Sequence, residues 1–285
     1  MMRRGNSPPG DENMRSAGAR PHPSSYAFTI VEVLVVVIVL GIVAMVAVPS
    51  LTHARDTSRR ADCTGNLRQV GFALVGYAAI SSDAVPLGYI GEQKQFNYLL
   101  NFNAHMPSQG HVTYPTLVGA LWVNQLIVEP RSFYCPANTM PQHVFRGAGD
   151  SLTPNPWPPA QADLLRDAHT TVGYGLRPVV SWPLLTSSQS MPPTPAHLPS
   201  LKTLRDTAIA SDILATPDHI DRAHANGINV LYGDLAASFV PREKFDVYHL
   251  RIASNSFDDD TLEKNKLLLD DSVIPHKGVW PTLDR

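Results

Sequence analysis

The chain has little with which to grip nucleic acid or to run a familiar hydrolysis. Its 285 residues hold 23 Lys and Arg against 25 Asp and Glu, a net charge of −2, so no basic surface for a phosphate backbone is encoded. No nucleophile elbow, paired-carboxylate motif or zinc-binding His-Glu-x-x-His occurs. Cysteine is scarce, with Cys63 and Cys135 the only two. They can form one disulfide if they face an oxidising compartment, and are two thiols if the chain folds in the cytosol. Proline is the exception to this sparseness. Its 25 residues are about twice the usual share and predict a loop-rich fold.

The apolar residues are concentrated near the start. Residues 1–25 carry four arginines, two acids and several Pro and Gly without periodicity, which reads as a disordered leader. It is either a cytoplasmic targeting segment that is removed or a floppy terminus. Residues 28–51 then give about 36 Å of helix, enough to cross a hydrocarbon core of about 30 Å. Within them sixteen consecutive apolar residues, 33–48, run on to Pro49. A buried core helix of that kind needs a large protein around it, so the expectation is a membrane span.

Glu32 is the anomaly. A carboxylate in a spanning helix costs a few kcal/mol unless neutralised or paired. Either it lies near the interface and reaches out to water, or it meets a positive group of a neighbouring copy at the same depth. An ordinary signal peptide cut within residues 44–48 and a plain signal anchor remain alternatives. Loop charge does not decide orientation, because Arg3, Arg4, Arg15 and Arg20 face Arg55, Arg59, Arg60 and Arg68.

The segment Ala27-Phe28-Thr29-Ile30-Val31-Glu32 ahead of a long apolar helix resembles the processing site of the type IV prepilin superfamily, which includes type II secretion pseudopilins. The resemblance implies a prepilin peptidase that cuts after Ala27 and methylates the new amino terminus at Phe28. It implies that Glu32 meets the Phe28 amine of an adjacent subunit during assembly. Pro49 matches the proline that kinks these helices, and physically it removes one backbone bond and crowds the preceding turn. Ala27 departs from the usual glycine, which is expected to lower the efficiency of cleavage.

Beyond the span, Cys63, Leu67, Val70, Leu74 and Tyr77 recur at steps of four, three, four and three, an apolar stripe that can lie on a sheet. Arg59-Arg60, Cys63, Asn66-Leu67-Arg68-Gln69, Gly71 and Tyr77 resemble the corresponding segment of a prepilin-like family abundant in planctomycetes. Ser132-Phe133-Tyr134-Cys135-Pro136 resembles its second cysteine motif, a strand end followed by Cys-Pro. Pairing Cys63 with Cys135 would close a loop of about 70 residues and stabilise by roughly 4 kcal/mol; two buried free thiols are the alternative.

His224 and Asp234, nine residues between them, resemble the His-x9-Asp-Gly motif that names the family's processing-associated domain. Leu235 stands where that motif has glycine. A two-residue turn at Gly233-Asp234 is then expected between strands over 228–232 and 235–240, with His224 and Asp234 as a hydrogen-bonded pair anchoring the hairpin. Asp212, His224 and Asp234, with Asp218, His219 and Asp221 nearby, are weak metal candidates, since no tight ligand spacing is present. Further strands are expected over 171–176 and 208–212, and a short loop-rich region with one or two helices over 81–130. Pro-rich connections are expected over 146–163 and 186–200. The acidic run Asp258-Asp259-Asp260 reads as a solvated loop, with a surface helix over 261–269.

The expected architecture is α+β and pilin-like: residues 1–27 a removed leader, 28–51 a transmembrane helix, 52–80 its amphipathic continuation, and 81–285 an outer domain on an antiparallel sheet with Pro-rich loops and a C-terminal tail. The resemblance implies a single-pass protein of a bacterial inner membrane. Its N-terminus would be cytoplasmic and its outer domain periplasmic or surface-exposed. Its partners would be the prepilin peptidase and other pseudopilin-like subunits; no nucleic acid and no cofactor are expected. A displayed binding module and an anchored hydrolase using His224 and Asp234 are the competing functions.

Overall fold

The computed structural model describes residues 28–90, 97–106, 110–145, 157, 170–181, 198–214, 217–224, 226–245 and 279–285. The expected leader, Ala27, most of the two Pro-rich stretches, the acidic run and the helix over 261–269 lie outside the described residues. The chain divides into two units, Met1–Leu51 and Thr52–Arg285. One helix, α1 (Ile30–Ile80, 51 residues), contributes to both and carries Pro49 inside it.

In the first unit the large apolar side chains of α1 are exposed. Every large apolar residue of this part is more than half exposed, and the most apolar 18-residue window has a mean hydropathy of 3.1. The helix is long and apolar enough to cross a membrane, as an anchor or as a signal sequence does.

In the second unit the same helix becomes two-faced. Cys63, Leu67, Val70, Leu74 and Tyr77 are all buried in one cluster, while Phe72 and Ile80 stay exposed. Gly71 belongs to this face for a steric reason. A Cβ there would stand 3.1 Å from a methyl of Leu231, so its absence lets the helix lie close to the sheet.

That sheet has four strands in the order β4 (Tyr174–Leu176), β6 (Ala208–Asp212), β7 (Gly227–Tyr232) and β8 (Ala237–Pro241), each pair antiparallel. Every residue of β7 is buried, yet its alternation survives in what each residue touches. Leu231 packs in the cluster of the α1 stripe, whereas Ile228, Val230 and Tyr232 pack with Ile220, Phe245, Trp280 and Leu283. Burial on both faces explains why the strand reads as a nearly continuous apolar run. Ile220 comes from α3 (Pro217–His224), and Trp280 and Leu283 from a short turn near the end of the chain. Asp284 fastens that turn by accepting from Ala208 N at 2.9 Å and Arg177 Nη1 at 2.5 Å.

Two smaller pairs complete the described strands, β1 (Gly88–Ile90) parallel to β5 (Pro178–Ser181) and β2 (Asn101–Met106) antiparallel to β3 (Gly110–Pro115). The fold class is α+β, a long N-terminal helix with a four-stranded antiparallel sheet. The strand expected over 208–212 forms as β6, and the one over 171–176 is confined to β4.

Three local expectations need correction. Part of the region read as loops is the β2–β3 hairpin, and a single helix, α2 (Leu117–Val123), follows it with Thr116 Oγ1 accepting from Gly119 N at 3.3 Å. The residues before Cys135 form no strand: Pro130, its φ preset for a turn, opens a 3-10 turn to Phe133, and Glu129 accepts from Arg131 N at 3.2 Å. The β7–β8 connection is not a two-residue turn. Leu235 N donates to Tyr232 O at 2.9 Å and Tyr232 N to Ala236 O at 2.9 Å, which leaves a three-residue loop. Its last residue, Leu235, has φ of 66°, the left-handed position where glycine is the usual occupant.

Candidate functional site

The start of α1 holds Glu32, with Phe28 just before it, and a buried cluster holds Cys63, Cys135, Asp212 and His224. At the helix start, Thr29 Oγ1 accepts from Glu32 N at 3.2 Å. In return Glu32 Oε2 accepts from Thr29 N at 2.8 Å and from Thr29 Oγ1 at 2.9 Å. This is a reciprocal capping box, in which the acid satisfies an amide that has no partner within the helix. Glu32 therefore has a partner inside its own chain, an option the sequence reading did not weigh. The signature Thr-x-x-Glu before an apolar run was there to be read. Phe28 precedes the cap and is exposed.

The second location lies inside Thr52–Arg285. Cys63 on α1 and Cys135 after the 3-10 turn are joined by a disulfide, 72 residues apart in sequence. Both of its ends are pinned: the Tyr174 hydroxyl reaches the carbonyls of Cys63 at 2.9 Å and Tyr134 at 3.3 Å, and Asn66 Nδ2 donates to Tyr134 O at 2.9 Å. The Cys135 loop is tied to the end of α3, because Thr139 N donates to Arg222 O at 3.0 Å. This brings His224, the last residue of α3, against the disulfide with Nε2 3.4 Å from Cys135 Sγ.

Asn229 organises the polar part of the cluster. Its backbone N and its Nδ2 donate to Asp212 Oδ2 at 2.7 and 3.0 Å, and Nδ2 also lies 3.0 Å from His224 Nε2. Its Oδ1 accepts from Thr64 Oγ1 at 3.0 Å. An amide N–H donating to His224 requires a lone pair on Nε2, so the neutral ring carries its proton on Nδ1. Burial pushes His224 down to about 4, helped by the charge of Arg60 and opposed by that of Asp56. Burial pushes Asp212 up to about 7, against the two hydrogen bonds from Asn229. Tyr174 is raised by burial and then by the neighbouring Asp212. Phe239 stands edge-on to the His224 ring, and the Arg60 guanidinium sits 4.3 Å over Phe239.

Sequence reading paired His224 with Asp234, and the structure separates them to opposite ends of β7. Asp234 sits in the β7–β8 loop, where its Oδ1 accepts from Ala236 N at 2.9 Å and its Oδ2 pairs with Arg285 at 3.0 Å. The carboxylate beside His224 is Asp212, with Oδ2 3.7 Å from Nε2. The remaining metal candidates go elsewhere. Asp218 pairs with Arg222 at 2.8 Å, Asp221 pairs with Arg242, and His219 lies tilted against His143 with ring centroids 5.2 Å apart. Asn229, Thr64 and Tyr174 were not singled out by sequence. Their only signal is a polar residue within a buried apolar strand or helix face.

Comparison of this chain with profiles of known families, with curated proteins and with solved structures gives no match.

Proposed function

We propose that the chain is a membrane-anchored, pilin-like structural subunit, cut after Ala27, methylated at Phe28 and assembled through its N-terminal helix into a pilus-like or secretion-type apparatus. The observation that carries this reading is α1 itself. Its first part offers only bare apolar surface with one acid at the third helical position, and its second part is the spine of an α+β domain. Such a helix suits lateral packing against copies of itself in a membrane or a fibre. Glu32 keeps its cap after a cut before Phe28, because the Thr29 amide and hydroxyl remain. Its second oxygen can then accept from the methylated amine of a neighbour. The outer domain would be carried on the far side of the membrane, where a disulfide is favoured.

Two measurements test this. The mass of the mature N-terminus separates the cases: methylated Phe28 supports the subunit, a start near Ser50 selects a signal peptide, and an intact Met1 leaves a plain anchor. The second compares Glu32→Gln with Glu32→Ala. Glutamine retains the capping acceptor and removes the charge, so loss of assembly in both variants with cleavage intact supports the intersubunit role. Assembly that survives in Glu32→Gln shows that capping was the function of this residue.

A further inference from the structure

The cluster beside the disulfide contains donor atoms for which a disulfide alone has no need. Cys63 Sγ, Cys135 Sγ, His224 Nε2 and a carboxylate oxygen of Asp212 all lie within 4.8 Å of one another, and all four residues are buried. A tetrahedral zinc site with bonds of about 2.3 Å to sulfur and about 2.0–2.1 Å to nitrogen or oxygen puts neighbouring donors roughly 3.3–3.8 Å apart. The separations of 3.4 Å from His224 to Cys135 and 3.7 Å from His224 to Asp212 fall in that span.

A second observation points to a ligand. Asp212 is 1% exposed, and its Oδ1 has no hydrogen-bond partner among the described residues, although Oδ2 accepts twice. An unpaired buried carboxylate oxygen costs free energy that packing does not return. The supporting groups are already arranged as a metal site requires. Asn229 orients both Asp212 and His224, and by donating to Nε2 it keeps that nitrogen free of a proton.

We propose that the reduced chain binds one zinc ion through Cys63, Cys135, His224 and Asp212, so that metal and disulfide are alternative cross-links of one cluster. Conversion from the oxidised form takes two electrons and two protons. A dithiol supplies both and closes to its own disulfide, while the Cys63–Cys135 bond opens to two thiols. Zinc then displaces the two thiol protons to solvent and takes both thiolates, the imidazole nitrogen and the carboxylate. Asn229 keeps its bonds to Asp212 and gives up only its contact with Nε2.

The test uses the full-length chain in detergent, reduced with a trialkylphosphine. The phosphine takes the oxygen of water to become its oxide and leaves that water's protons on the sulfurs. One equivalent of zinc per reduced chain is expected, and none per oxidised chain. Cobalt(II) in place of zinc is expected to give a thiolate-to-metal charge-transfer band and the strong visible absorption of a tetrahedral site. Asp212→Asn and His224→Gln are each expected to weaken zinc binding at least tenfold. Equal zinc content in the oxidised and reduced chains, or cobalt bound without the thiolate band, overturns the proposal. Both readouts come from the unmutated chain, so they decide the matter even if a variant fails to fold. Undiminished binding in variants that melt cooperatively also overturns it.

Discussion

Glu32 and Asp212 are both met by N–H donors of their own chain, and their surroundings are opposite. Glu32 opens a helix whose flanks are bare apolar surface, and its donors come from Thr29, three residues away. Asp212 ends a central strand in a closed interior, and its donors come from Asn229, 17 residues away on the next strand. One acid is satisfied by local geometry before any domain exists. The other is tolerated only because α1, β6, β7 and α3 have all arrived. The first unit should therefore respond to mutation residue by residue, and the second as a cooperative whole.

The strongest way to break that contrast is to cut the cross-link that gathers the second unit. Removing the disulfide with Cys63→Ala and Cys135→Ala returns a loop of 72 residues to the unfolded chain, costing about 4 kcal/mol. Melting temperature should fall by on the order of 10 °C. Thermal melting of the full chain in detergent reads this, and an unchanged midpoint would mean that the cluster holds without its covalent tie.

Asn229→Ala comes next, at about 3 kcal/mol, because it strips side-chain donors from a buried acid and leaves Asp212 Oδ2 only the backbone amide. Asn229→Asp should be worse, since it places a second carboxylate in the same closed space. A denaturant midpoint indifferent to both variants would show that Asp212 is held by something other than Asn229.

This contrast also explains what could be read from the sequence. Thr29 and Glu32 are three apart and the stripe from Cys63 to Tyr77 is periodic, so the long apolar helix and its buried face were legible from local spacing. The β7–β8 hairpin was legible as a hairpin, but the spacing of His224 and Asp234 suggested a pair. Nine intervening residues include a whole strand, which carries the two side chains apart. Asp212 was named only as one acid among several, and Asn229 was not named at all. Strand pairing across unrelated stretches puts them together, and no local pattern encodes that. The docking of Trp280 and Leu283 was invisible for the same reason.

Acid should separate the two units further. His143 is pushed down to about 3 and His219 to about 4 from an ordinary 6.5, in both cases first by burial. A lowered pKa means that their contribution is complete above pH 6.5 and is lost as pH falls toward 4 and then 3. His224 acts in the same direction. Asp212 opposes them: raised to about 7 from 3.8, it contributes fully below 3.8 and loses that contribution as pH rises through 7. Between pH 4 and 6.5 the histidines outnumber it. Stability should drop on acidification by on the order of 1 kcal/mol per pH unit, with a maximum near neutrality. Midpoints measured across pH 4–8 check this, and His219→Gln should flatten the acid limb.

The smallest effect belongs to the first unit and sharpens the comparison most. Thr29→Val removes the hydroxyl that caps Glu32 N and donates to Glu32 Oε2, but keeps the backbone amide bond, so the cost is about 1 kcal/mol and confined to the first turn. Amide exchange should quicken at Glu32, and at Val33 whose N–H bonds Thr29 O, with the melting of the second unit unmoved. Because the charge of Glu32 survives, a subunit that assembles through that charge should still assemble in Thr29→Val and fail in Glu32→Gln. If Thr29→Val fails instead, helix entry rather than charge is what the acid provides, and Glu32 joins Asp212 as an acid kept for structure.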